Sequence, residues 1–387
     1  MTRHAVASGL TFVVFAAILT AWGDPASGHL AQACLLALAA GYAASAALSP
    51  TPVKLPWPAL AIALPAIWGC AQAFAGGTAY AHATWDGVAT WLSRLAAFVL
   101  AAGTFNDRMR RRFLAVLVVV AAAMSLFGVV EWFTSQGRIA WLIPVRGVEA
   151  VIGTFPNRDH YAAFIELALP VALWRALTGP RPSPWLMTAA GAMFASVAVC
   201  ASRAGIVVAT LEVLVLVALA RLKNQVSLRR IGPAVALIVL CTLIGGGGGY
   251  ALSRFRTPNP FAFRKKLLVA TAEMIRQRPL AGFGLGTWPT VYPAYAVFDP
   301  PGLFMNHAHN DWAEWTAECG VIGLVPLLIL AFTAARAAIH KPWCAGTAAV
   351  LLHSLVDFPM QKISLGLLAM TLLGAAFSDD RRRHDTR

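Results

Sequence analysis

The sequence predicts an all-α polytopic membrane protein of about 12 transmembrane helices, with one large loop on the outer side that carries an amphipathic surface helix. Three observations predict this class. Of 387 residues, 58% are hydrophobic and only 12% charged, and the mean hydropathy is +0.66. A soluble domain carries about 25% charged residues, and a soluble protein of this size has too little interior to hide so much apolar surface. The apolar residues fall into runs close to the roughly 20 that a spanning helix needs. The basic residues gather in short connections that fall on one side of those runs.

In order, the apolar runs predict helices at about 8–23, 30–49, 56–75, 87–105, 113–133, 159–177, 185–201, 204–221, 232–252, 319–339, 342–357 and 362–378. They are too long and too continuous for barrel strands. The first has a basic Arg3 ahead of it and could pass for a signal peptide; an uncleaved first span is the preferred reading. The six cysteines form no CxxC pair and sit mostly in apolar runs, so neither a disulfide framework nor a zinc knuckle is expected.

The formal net charge of +14 raises nucleic acid as a partner. Its distribution answers otherwise. Arg108, Arg110, Arg111 and Arg112 follow span four, Arg221, Lys223, Arg229 and Arg230 follow span eight, and Arg381, Arg382, Arg383 and Arg387 end the chain. In a twelve-span count these clusters share one side, which makes that side and both termini cytoplasmic. The excess is a topology signal and needs no nucleic acid.

Four segments follow: N-terminal transmembrane helices at 1–105, central ones at 106–252, an outer loop at 253–318, and C-terminal helices with a basic cytoplasmic tail at 319–387. The outer side also holds a loop near 134–158 and a tight turn at Ser202-Arg203. Long loops without helices of their own are uncommon and often functional, so 253–318 is the main place to look for chemistry. Within it, residues 264–278 repeat Leu267, Thr271, Met274 and Ile275 at helical spacing, with Lys265, Lys266, Glu273 and Arg276 on other faces. This pattern predicts a basic amphipathic helix on the membrane surface. Pro279 and the glycines at 282, 284 and 286 end it. GFGLG lacks the strand and spacing of a nucleotide fingerprint and reads as a tight turn.

The loop closes with NHAHNDWAEWTAECGVIG, residues 306–323. Asn310 or Asp311 can cap the following helix. Trp312 and Trp315 suit an aromatic belt, and Gly320 and Gly323 allow close helix contact. His307, His309, Asp311 and Glu314 leave three readings open: a metal site, an interfacial polar cluster, or a general base, since imidazole titrates near neutral pH. Elsewhere, His353 and Asp357 lie four apart on one helical face and can pair. Arg94 and Glu212 are charges inside predicted spans, where they face the interior or a cavity, and they can pair with each other. The GGGGG run at 245–249 suggests close packing or a helix break.

These residues carry a resemblance. His309-Asn310, nine further residues and Gly320-Val321-Ile322-Gly323 reproduce the periplasmic signature of the O-antigen ligase family, bacterial inner-membrane glycosyltransferases related to O-antigen polymerases. GTFPNRDHYAAF at 153–164 resembles a family segment, with Asp159 for the common Asn and Tyr161 for the common Phe. Ser202-Arg203-Ala204-Gly205 resembles its Ser-Arg-Gly-Gly turn. Arg264 with RPLAGFGLGTW at 278–288 resembles its amphipathic helix and turn, with Leu268 where a Trp is frequent. HSLVDF at 353–358 resembles a late-span motif. The resemblance runs over about 105–378.

It implies an all-helical fold with one large periplasmic loop, in the bacterial inner membrane, and a metal-independent, cofactor-free, inverting transfer. A glycan would move from an undecaprenyl-diphosphate carrier to lipid A-core in a ligase, or to a carrier-linked glycan in a polymerase. His309 would be the general base, and Arg203 and Arg264 would face the diphosphate, because guanidinium donors match phosphate oxygens and stay charged. Asn157, Arg158, His160, Asn310 and Asp311 are candidates to line the substrate path. The single large outer loop favours a ligase over a polymerase. Two less favoured functions are a protein O-oligosaccharyltransferase and a polysaccharide transporter or flippase. The transporter is disfavoured because the best motif lies outside the membrane midplane.

Overall fold

A computed structural model describes residues 1–23, 25–48, 55–144, 153–226, 262–297 and 304–378, with isolated positions between 231 and 256. The regular elements of the described chain are helical apart from a short antiparallel ladder, β1 (Arg138–Ile139) on β2 (Ile143–Pro144). The helices are α1 (Arg3–Leu19), α2 (Ala26–Ala47), α3 (Pro58–Phe74), α4 (Ala81–Thr104), α5 (Asp107–Thr134), α6 (Arg158–Thr178), α7 (Pro184–Cys200) and α8 (Arg203–Leu222). They continue as α9 (Ala262–Gln277), the short α10 (Trp288–Val291), α11 (Asp311–His340), α12 (Ala345–His353) and α13 (Ile363–Phe377). Six of these, α2, α4, α5, α6, α8 and α11, are long and apolar enough to cross a membrane; α1, α3, α7 and α13 are shorter apolar helices. The chain is an all-α, multi-pass membrane protein.

Local sequence sets the helix starts. Asn106, Asn157, Ser183, Ser202 and Asn310 each accept a backbone N–H of the first turn beyond them, which satisfies donors that a helix start leaves orphaned. α6 and α13 are buried nearly all round and form the centre of the bundle. Around them pack α4 on α3 and α13, and α6 on α7, α8 and α12. Leu126, Phe133, Leu214 and Phe332 stay exposed on the outer helices. In water such side chains would be a liability; against lipid they are a matched surface.

Three expectations change. The span expected at 342–357 is the nine-residue α12, about 13 Å long and too short for a hydrocarbon core of about 30 Å. Pro359 bars any continuation, and the carbonyls beyond His353 are taken by another element: Asp311 N–H donates to Ser354 O and Asp357 O, and Asn310 Nδ2 to Leu355 O. Trp315 does not join an aromatic belt; it is buried with its ring 5.6 Å from that of Trp91. α9 turns Leu267, Ala270, Thr271 and Met274 into the protein, against Phe283, Trp288 and Ala317, and leaves Phe263, Leu268 and Val269 exposed. The span expected at 232–252 with its glycine run, the arginines at 229, 230 and 381–387, and parts of both outer loops lie outside the described residues.

The turn after α9 docks into a break in α11. Gly320 has φ +65°, and a Cβ there would lie 2.0 Å from Leu280 O; at Gly282, φ +71°, it would lie 2.2 Å from Glu318 O. Only glycine permits this backbone-to-backbone approach. Phe283 N–H donates to Ala317 O at 3.0 Å, Gly284 N–H to Glu318 O at 2.9 Å and Val321 N–H to Pro279 O at 2.9 Å. Gln72 of α3 donates to Ala281 O and Glu318 O and accepts from Leu285 N–H, so one buried amide ties three segments together. These bonds fix where α9 sits, and α9 carries Arg264.

Candidate active site

Five separate segments converge at one end of the bundle: the start of α6, the Ser202-Arg203 turn, the start of α9, residues 307–311, and residues 353–358. Asn157 caps α6 and so presents Asp159 in the first turn. Asp159 Oδ1 accepts from Ser202 Oγ at 2.6 Å, and its Oδ2 accepts from Arg264 at 2.6 Å. Arg264 also lies 3.6 Å from Asp357 Oδ2. Asp357 Oδ1 accepts from His309 Nδ1 at 2.9 Å. A guanidinium therefore sits between two carboxylates, and one of these holds an imidazole.

His309 is the strained member. Its φ is +51°, a conformation that non-glycine residues adopt rarely and that clusters at functional sites. The residues on either side hold it there. Ala308 N–H donates to Glu314 Oε2 at 2.7 Å, and Asn310 caps α11 through Ala313 N–H at 2.9 Å. Asp357 is fully buried, while the His309 side chain keeps 24% of its surface exposed. With Asp357 accepting, the ring proton sits on Nδ1 and Nε2 is free to act as a base.

Aromatic and imidazole rings pack together beside the cluster. Phe358 stacks on His307 with centroids 4.4 Å apart and meets His309 and His160 edge-on, each at 4.7 Å. His307 Nδ1 and Glu314 Oε1 share a hydrogen bond at 2.8 Å. Burial, with Lys362 and His309 nearby, pushes the His307 pKa down to about 3, so this imidazole is neutral at ordinary pH. Burial acts to lower the Arg264 pKa, but Asp357 and Asp159 outweigh it and raise the value, so Arg264 stays charged.

Each expected site residue has a definite place. Arg264 and His309 meet through Asp357. Arg203 opens α8 directly after Ser202 and is half-buried. Arg158 is half-buried beside Asp159, and His160 is fully buried against Phe358. Asn157 and Asn310 act as helix caps. Asp311 points inward, where Oδ2 accepts from Met360 N–H at 3.0 Å. Two expected pairs are not formed. His353 donates instead to Glu166 at 2.8 Å, deep in the bundle, while Asp357 turns to His309 and Arg264. Arg94 donates to Met360 O, and the carboxylate oxygens of Glu212 have no hydrogen-bond partner among the described residues.

Sequence spacing misses two members: Asp159 as an arginine partner and Asp357 as the histidine partner. The available signal for Asp357 is Pro359, two residues on, which ends a helix and frees the preceding side chains to face another element. Asp159, His353 and Asp357 also bring ligand atoms within 4.8 Å of one another, a donor set a cation could use. Arg264 already supplies the positive charge those carboxylates need.

The fold and this cluster define the class: an all-helical multi-pass membrane protein whose polar centre lies where helix starts and connecting segments meet. Residues 188–328 match the family model described as O-Antigen ligase, and this match supports assignment to the O-antigen ligase family. The matched segment includes Arg203, Arg264, His309, Asn310 and Asp311; Asp159, His353 and Asp357 lie outside it. No curated protein matches the chain.

Proposed function

We propose that this protein is a metal-independent inverting glycosyltransferase of the O-antigen ligase type. It moves a glycan from an undecaprenyl-diphosphate carrier to an acceptor hydroxyl, with lipid A-core as the acceptor, on the periplasmic side of the bacterial inner membrane. The observation that carries this reading is the His309–Asp357 pair beside Arg264. The family match supports an O-antigen ligase or polymerase type of activity in general.

His309 Nε2 takes the proton from the acceptor hydroxyl as its oxygen attacks the anomeric carbon. Asp357 keeps the ring in the tautomer that leaves Nε2 unprotonated and stabilises the imidazolium that forms. The bond from the anomeric carbon to the diphosphate oxygen breaks, and its electron pair leaves with the diphosphate. Attack from the opposite face inverts the centre. Arg264 and Arg203 stabilise the developing charge through fixed donors that need no reorganisation. Asn157, Arg158, His160, Asn310 and Asp311 shape the site from the α6 and α11 ends.

The test is a purified assay offering a carrier-linked glycan with lipid A-core or with a second carrier-linked glycan as acceptor. Product on lipid A-core is expected. Product only on carrier-linked glycan makes the enzyme a polymerase. Glycan movement across vesicles without any new glycosidic bond would replace the transferase by a transporter.

A further inference from the structure

Arg94 lies within the membrane-spanning α4 and is 1% exposed. A charge in such a place is costly and persists where it has a task. Its partners are specific. Its guanidinium donates to Met360 O, and its Cζ lies 4.7 Å from the centre of the Trp91 ring. The same Met360 residue gives its N–H to Asp311 Oδ2 at 3.0 Å, so both backbone polar groups of one residue are gripped by ionisable side chains of two different helices.

That residue belongs to the loop that carries Asp357 and Phe358. Asp311 N–H donates to Ser354 O at 3.0 Å and to Asp357 O at 3.2 Å, and Asn310 Nδ2 donates to Leu355 O at 2.7 Å. Residues 310–311 thus zip against residues 354–360, which brings the preceding His309 onto Asp357. Those contacts all come from the start of α11. Arg94 adds an anchor from α4. Gly366 leaves room for it, since a Cβ there would lie 2.8 Å from Arg94 Nε.

We infer that Arg94 is a positioning residue for the transfer reaction: through the Met360 backbone it locks the 354–360 loop, and so the Asp357 carboxylate that orients His309. The inference rests on the transferase reading for its kinetic consequence, though not for the clamp itself. A buried hydrogen-bond network of this kind rigidifies and specifies one geometry, and a misplacement of about 1 Å at a reacting group can cost about 100-fold in rate.

The experiment uses the full-length protein in detergent or nanodiscs. Hydrogen exchange followed by mass spectrometry is read on peptides covering 354–361. Arg94→Met, which has no donor, is expected to speed exchange there and leave the centre of α6 unchanged, while Arg94→Lys, which still donates to the carbonyl, stays near the parent. Unchanged exchange in Arg94→Met overturns the clamp. In the transfer assay, Arg94→Met is expected to lower kcat about 100-fold with KM unchanged, and Arg94→Lys to recover most of the loss. A loosened loop with full kcat overturns the positioning role. If Arg94→Met does not reach the membrane, Gly366→Ala displaces the guanidinium without removing it and should give the same kcat loss; full kcat in that variant counts against the role. If the parent enzyme makes no glycosidic product, the transferase reading falls, and the exchange result still decides the clamp.

Discussion

Where α6 and α11 begin, Asp159, Asp311 and Glu314 lie in the first turns; where α6, α8 and α11 finish, Arg175, Arg221 and His340 lie in the last. Both distributions suit the helix dipole, yet the two ends use their charges differently. At the finishing end Lys223 donates to Ile339 O at 2.6 Å and Lys341 to Ala376 O at 2.7 Å. These cations satisfy helix carbonyls, which is a structural task. At the starting end the carboxylates reach across to groups from other segments: Asp159 to Ser202 and Arg264, Glu314 to His307 and Ala308, Asp311 to Met360. The contrast teaches that charge at a helix end becomes a site when several chain segments must meet to satisfy it.

The sharpest way to break this comparison is to remove the proposed base and the arginine beside it at the starting end. His309→Ala is expected to cut transfer about 1000-fold and Arg264→Ala about 100-fold, while both variants still reach the membrane. Full activity in either, measured on purified protein, would reduce this end to a structural cap like the other. Asp357→Asn should cost about tenfold, because the amide oxygen still accepts from Nδ1 but the charge facing Arg264 is gone.

A smaller effect sharpens the comparison through pH. His307 has its pKa lowered to about 3 in the folded protein against an ordinary value of 6.5. Below pH 6.5 the unfolded chain binds that proton first, so the stability tied to neutral His307 is full above about 6.5 and is lost as pH falls towards 3. Thermal midpoints between about pH 7 and pH 4 should therefore fall less in His307→Gln than in the parent. An identical fall in both would show that His307 is not a source of the acid sensitivity. The smallest effect belongs to the finishing end. The double variant Lys223→Ala with Lys341→Ala should keep full transfer and lose no more than a few degrees of thermal midpoint. A large loss of transfer would show that this end takes part in the reaction.

Much of the bundle was legible in the sequence because its cause is local. Apolar runs of spanning length mark α2, α4, α5, α6, α8 and α11, and Asn or Ser before a run marks where a helix starts. The family motifs are likewise local, with His309, Arg264 and Arg203 each in a short stretch of its own, so the three were visible as candidates for chemistry. The span expected at 342–357 failed for one local and one non-local reason. Pro359 cannot continue a helix, and Asn310 and Asp311, more than 40 residues away, hold the carbonyls of Ser354, Leu355 and Asp357.

Partnership was the part only the tertiary structure decided. By spacing, His353 should face Asp357, and Arg94 and Glu212 were the charges left to pair. In the folded protein His353 turns to Glu166, Asp357 to His309 and Arg264, and Arg94 to a carbonyl beside Asp311. Helical periodicity says which residues share a face, but not which faces meet. A one-dimensional pattern of hydropathy and caps determines the helices and the residue types at their ends. The choice of which carboxylate holds which cation belongs to the packing of α4, α6, α9 and α11 against one another, because in a low-dielectric interior each charge takes the partner that geometry brings nearest.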